Sequence, residues 1–210
     1  MRVKICGVTK LKQAQAIASL GVDTLGFICF PASPRYLNPN EINLIVQGLP
    51  ENVQTIGVFV NESVEVIRDI VLNTGLTGVQ LHGQESVEFC LSVRELLPGR
   101  EIIKAIRVKN ADSLAKILAY SDYVDSLLLD AYDPHLQGGT GKTLVWQDLS
   151  SFCPPKPWLL AGGLTPENIV LALTQLQPDG IDLSSGVERS PGDKDLEKVV
   201  LLWEQLHSCN

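Results

Sequence analysis

The stretch Ser126-Leu127-Leu128-Leu129-Asp130 sets three consecutive leucines directly against a carboxylate. A strand with one face in water alternates apolar and polar residues, whereas a strand apolar at successive positions is covered on both faces, the condition of a parallel sheet layered with helices. Runs of the same kind recur at 3–6, 24–30, 55–60, 78–82, 102–108, 158–161 and 180–183, eight in all. Between them the apolar residues fall at helical spacing, as in Val64, Ile67, Ile70 and Val71, or Leu114, Ile117 and Leu118. Parallel neighbours cannot be joined by tight hairpins, so each strand must be followed by a crossover. Eight such units predict a single-domain α/β fold over residues 1–210, a (β/α)8 or TIM barrel. The alternative is an open doubly wound sheet, but its edge strands should be more polar, and no GxGxxG follows the first run.

Helix punctuation fits this map. Asn61-Glu62-Ser63 precedes the third helix, Thr165-Pro166-Glu167 predicts a cap with proline at the first helical position, and Pro191-Gly192-Asp193 precedes the last helix. The least regular stretch, 131–157, contains His135, Gly138, Gly139, Thr140, Gly141 and four prolines and reads as a long mouth loop with little helix.

A formal charge of −7 sets the average field against nucleic acid and anionic lipid, so a phosphate ligand needs a local site. Met1-Arg2-Val3-Lys4-Ile5 lacks the apolar core of a signal peptide, and no uncharged apolar stretch is long enough to span a bilayer. The expectation is a cytoplasmic protein without membrane or nucleic-acid partners. The five cysteines, Cys6, Cys29, Cys90, Cys153 and Cys209, are odd in number and scattered, which fits reduced thiols. No CxxC or His/Cys cluster suggests a metal.

In such a barrel the chemistry sits where the strands end at their C-terminal side. Those ends are polar here. The last two units carry Gly162-Gly163 and Asp182-Leu183-Ser184-Ser185-Gly186, loops whose backbone N–H groups can approach an anion, with a short extra helix expected near Gly186. Cys6 ends the first strand, where a thiolate can accept a proton and where a nearby helix N-terminus or a bound cation could depress its pKa. Asp130 follows its leucines into a site where partial burial favours the protonated form that a general acid needs. Arg35, between Pro31, Pro34 and Tyr36, can clasp a carboxylate through two hydrogen bonds. His82 and Asp182 are expected to line the substrate. Gly138-Gly139-Thr140-Gly141-Lys142 lacks P-loop spacing and a following helix signal, which argues against a nucleotide.

Taken together, Lys4-Ile5-Cys6-Gly7, Ser33-Pro34-Arg35, Val79-Gln80-Leu81-His82-Gly83, Leu129-Asp130, Gly138-Gly139-Thr140-Gly141, Ala161-Gly162-Gly163-Leu164 and Ser184-Ser185-Gly186-Val187-Glu188 resemble the phosphoribosylanthranilate isomerase family along nearly the whole chain. The resemblance implies a cofactor-free Amadori rearrangement of a small phosphorylated substrate in tryptophan biosynthesis, by a monomer or homodimer. It also implies roles: Asp130 as general acid, Cys6 as general base, Arg35 on the anthranilate carboxylate, and Gly162, Gly163, Ser184, Ser185 and Gly186 around the phosphate. The chain departs from the family pattern at Leu144-Val145, where Phe-Asp is usual, at Arg189, where a small residue is commoner, and at Gln13-Ala14, which replaces an acidic residue. A histidine-pathway isomerase with paired aspartates is disfavoured by Cys6. A metal-dependent epimerase would need more histidines and aspartates at the strand ends.

Overall fold

In the computed structural model, residues 1–108, 111–130, 149 and 152–208 are described. Eight parallel strands close into a barrel in chain order: β1 (Arg2–Cys6), β2 (Thr24–Ile28), β3 (Gln54–Phe59), β4 (Gly78–Leu81), β5 (Glu101–Arg107), β6 (Ser126–Asp130), β7 (Trp158–Ala161) and β8 (Gly180–Leu183). Strand β8 closes on β1 through Lys4 opposite Asp182 and Ile5 opposite Leu183. The described helices around them are α1 (Leu11–Ser19), α2 (Pro39–Gln47), α3 (Val64–Thr74), α4 (Val87–Leu96), α5 (Ala111–Leu118), α6 (Ile169–Gln175) and α7 (Leu196–Ser208).

Local chemistry explains several boundaries. Asn38 and Glu41 form a reciprocal capping box around Pro39 at the start of α2, satisfying backbone N–H groups that have no partner in the first turn. Ser63 and Ser86 cap α3 and α4 through the N–H groups of Val66 and Phe89. Helix α3 ends on Gly75, whose φ of 73° lies in the left-handed region that a side chain disfavours.

The alternation of each strand divides the core in two. Outward residues such as Ile5, Leu25, Phe27, Val79 and Leu127 pack beneath the helices. Ile56, Ile103, Ala105, Leu128, Leu159 and Ala161 form a separate cluster filling the barrel interior. The site stands on this inner cluster.

Three sequence expectations change. Strand β2 stops at Ile28, two residues short of Phe30, because the chain turns into the loop that carries Arg35. Helix α6 begins at Ile169, later than a cap at Thr165 implies. Asn168 Oδ1 accepts the Thr165 N–H instead, closing a turn over the proline. Pro191-Gly192 is the turn of a small hairpin, β9 (Glu188–Ser190) and β10 (Asp193–Lys194), before the last helix begins at Leu196. The extra helix expected near Gly186 is the 3-10 turn Ser185–Val187. His135, Gly138-Gly139-Thr140-Gly141-Lys142 and Leu144-Val145-Trp146 lie outside the described residues.

Candidate active site

Side-chain alternation sends Lys4 and Cys6 into the barrel from β1, Asp130 from β6, and Gly180 and Asp182 from β8. Gln80 enters from β4, and His82 follows just beyond that strand's end. Of these, Cys6, Gln80, His82, Asp130 and Asp182 meet at the C-terminal mouth in one cavity of about 410 Å³, lined also by Arg35, Gly162, Gly163, Ser184 and Ser185. Gly186 lies beside this lining, inside the 3-10 turn. A larger cavity of about 680 Å³ opens between α4 and α5 and shares His82 and Arg107, but its described lining has neither a thiol nor a carboxylate.

The thiol of Cys6 is buried at the end of β1. Two residues earlier on the same face, the wholly buried Lys4 donates through Nζ to Asp182 Oδ2 at 2.8 Å. Burial raises the Cys6 pKa above its ordinary value, although the ammonium groups of Lys4 and Lys194 pull it down. Desolvation outweighs the nearby ammonium groups, so the thiol is raised rather than depressed. The Lys4 ammonium itself is held above its ordinary value, since Asp182 and Cys6 overcome the opposing effect of burial.

Asp130 is largely buried at the end of β6, with His82 Nε2 at 3.7 Å and Arg107 Nε at 3.8 Å from Oδ2. Gln80 Nε2 stands 2.9 Å from His82 Nδ1. An amide N–H donating to Nδ1 leaves the ring proton on Nε2, the nitrogen that faces Asp130. Two side-chain oxygens from opposite sides of this cavity, Gln80 Oε1 and Asp182 Oδ1, are buried with no hydrogen-bond partner among the described residues.

Arg35 reaches the mouth across Gly7, whose φ of 73° and missing side chain leave the room: a Cβ there would stand 2.6 Å from Arg35 Cδ. The guanidinium already holds a carboxylate of the protein. Its Nε and Nη2 donate to Glu188, the shortest contact being 2.6 Å. Glu188 also accepts from the buried Lys194 at 2.8 Å, and these two cations keep its carboxyl below the usual range despite burial.

The glycine loops follow β7 and β8. Gly162 and Gly163 both have positive φ, at 93° and 66°. Gly186 packs so closely against the Leu164 carbonyl that a side chain would collide with it, so the two loops are one structure. The N–H groups of Gly163 and Ser185 donate to no other described residue.

Sequence reading misses Lys4, Gln80, Glu188 and Lys194 as site components. Lys4 is detectable as the one charge two residues before Cys6 on an inward face. Glu188 and Lys194 acquire their roles from the hairpin, which has no periodic signal.

Residues 3–205 match the family model for N-(5′-phosphoribosyl)anthranilate isomerase. The chain is 59% identical to the isomerase of Trichormus variabilis over 210 residues, all of both chains. It is 58% identical to that of Microcystis aeruginosa over 98% of this chain and 97% of the relative. The structure of the Thermotoga maritima isomerase superposes with a TM-score of 0.90 at 37% identity, covering 99% of both chains. A further isomerase structure, in complex with reduced 1-(o-carboxyphenylamino)-1-deoxyribulose 5-phosphate, superposes at 0.86 and 34% identity over 99% of both chains.

Proposed function

The chain belongs to the N-(5′-phosphoribosyl)anthranilate isomerase family, and from that premise we propose how its residues divide the reaction. The reaction is the conversion of N-(5′-phosphoribosyl)anthranilate into 1-(2-carboxyphenylamino)-1-deoxyribulose 5-phosphate, a step of tryptophan biosynthesis. Asp130 gives its proton to the ribose ring oxygen. The C1′–O bond breaks as the nitrogen lone pair forms an iminium ion. Cys6, as thiolate, removes the C2′ proton, and the released electron pair makes the neutral enolamine. The enol then loses its O–H proton as C1′ gains one, giving the ketone. One proton is donated and one accepted, so the two groups return to their starting states by exchange with solvent, and the step balances without a metal or organic cofactor.

The observation that carries this reading is the meeting of Cys6 and Asp130 in one cleft, with Lys4 behind the thiol and His82 and Arg107 beside the carboxylate. Arg35 takes the anthranilate carboxylate. The N–H groups of Gly163 and Ser185, with Gly162, Ser184 and Gly186, take the phosphate. Asp182 Oδ1 and His82 face the sugar, where a buried acceptor with no partner among the described residues suits a substrate hydroxyl. We assign residues 1–210 to a single catalytic unit, cytoplasmic, acting on this small phosphorylated molecule with neither nucleic acid nor membrane as partner. It works as a monomer or homodimer; one Thermotoga maritima relative is dimeric.

The test follows turnover as loss of the substrate's fluorescence in metal-free buffer. Cys6→Ser and Asp130→Asn should each lower kcat by at least about 10²-fold while a product analogue still binds. An unchanged kcat in either variant removes that residue from the mechanism.

A further inference from the structure

Glu188 and Lys194 belong to no step above, yet they are among the most buried charges in the protein, and both stand behind Arg35. The Glu188 side chain is 4% exposed and that of Lys194 is fully buried. Charges in such places are retained only when fully paired. Glu188 accepts from Arg35 Nε and Nη2, from Lys194 Nζ and from the Gly192 N–H. Lys194 Nζ donates onward to the carbonyl of Ser184, in the loop that follows β8. Gln13 fixes the Lys194 backbone, accepting its N–H and donating to its carbonyl, so the hairpin is tied to α1 as well.

A guanidinium can be gripped bidentately along two useful edges. Glu188 occupies the Nε/Nη2 edge. The Nη1/Nη2 edge is left, and Nη1 makes no hydrogen bond to a described residue. One arginine between two carboxylates carries a net negative charge, and the ammonium of Lys194 cancels it. The arm of Arg35 is confined from the other side by Gly7.

We propose that Glu188 and Lys194 are positioning residues for substrate recognition: Glu188 locks the guanidinium of Arg35 with its outer edge presented to the substrate carboxylate, and Lys194 neutralises Glu188 while joining that subsite to the phosphate loop through Ser184. This rests on the reading of Arg35 as the carboxylate ligand. It adds that specificity for an anthranilate-type aglycone depends on a hairpin contacting neither reacting carbon.

A double-mutant cycle on KM and kcat tests it, with Glu188→Ala, Arg35→Ala and the pair. Glu188→Ala should raise KM about ten-fold, the scale of one charged hydrogen bond, with a smaller change in kcat. The pair should be no worse than Arg35→Ala alone within about two-fold, since Glu188 acts through Arg35. A phosphoribosylaniline analogue, which has no carboxylate, should show a KM unmoved by either substitution, a result that general damage to the fold would not give. Should Glu188→Ala fail to fold, the isosteric Glu188→Gln keeps one acceptor and decides the matter by a smaller rise in KM for the natural substrate alone. Multiplying effects in the cycle, or an unchanged KM in the glutamate variants, overturn the proposal. An unchanged KM in Arg35→Ala overturns the underlying reading instead.

Discussion

Gly26 on β2 lies directly opposite Cys6 on β1, and a Cβ at that glycine would stand 2.7 Å from Sγ and 3.1 Å from the Cys6 Cα. The thiol thus occupies the space of an absent side chain. In Gly26→Ala the neighbour at 3.1 Å is backbone, so Sγ cannot simply rotate out of the way. The expected outcome is overpacking that costs about 1–3 kcal/mol of stability and displaces the proposed base, with kcat lowered at least about ten-fold. Thermal melting and steady-state kinetics check it together. A variant that is destabilised yet has a normal kcat would show that the position of the thiol does not matter.

The buried thiol has its own pH signature. Burial raises the Cys6 pKa above its ordinary value, while Lys4 and Lys194 oppose that shift and Asp182 adds to it. Cys29 and Arg35 face the same thiol from the adjoining loop. Alkylation by iodoacetamide should be slow at neutral pH and accelerate as the pH rises, because only the thiolate reacts. Removing the nearest cation in Lys4→Met should shift that rise further to alkaline pH. A shift in the other direction would mean that Lys4 does not stabilise the thiolate.

Much of this was open to reading from the chain itself, and the limits are physical. The barrel is legible in runs such as 126–130 because burial on both faces writes itself into consecutive residues. The meeting of Cys6, Asp130 and the glycine loops is legible because parallel strands in a closed barrel all end at one rim. The clamp on Arg35 is not. Arg35 and Glu188 are 153 residues apart, and the latter lies in a hairpin whose strands have three and two residues, too short to show any period. The sign of the Cys6 shift is hidden for another reason: it is a balance between desolvation and charge, and sequence reveals neither burial depth nor the position of Lys194.

Below the rim, Glu85 and Lys104 form a third buried pair among the described residues, at 2.7 Å, each side chain 2% exposed. Glu85 also accepts the N–H groups of Asn61 and Gly83, and Asn61 has a φ of 51°, rarely adopted outside glycine. Lys104→Met would leave that carboxylate buried and short of its cation, so a loss of roughly 3–5 kcal/mol is expected. With a lowered pKa, Glu85 contributes stability that is present above its ordinary value of 4.5 and is lost as the pH falls through the folded-state value. The wild type should therefore lose stability with acidification below about 4.5, and the variant less steeply. Urea unfolding at neutral and acid pH measures both slopes, and equal slopes would discount the pair.

Gln80 offers the sharpest test of how the proposed acid, Asp130, is supported. It is buried within the barrel, and its amide Nε2 is 2.9 Å from His82 Nδ1, while His82 Nε2 looks toward Asp130 at 3.7 Å. If the amide sets the tautomer, Gln80→Leu frees the imidazole to place its proton on either nitrogen, and the fraction facing Asp130 with an N–H falls. Such a loss acts on proton delivery, so kcat should drop by about ten-fold, more than KM changes. In a His82→Leu background the same substitution should have little further effect on kcat, because the residue through which it acts is gone. Independent, multiplying losses would place Gln80 in contact with the substrate itself, through its buried Oε1, which has no hydrogen-bond partner among the described residues.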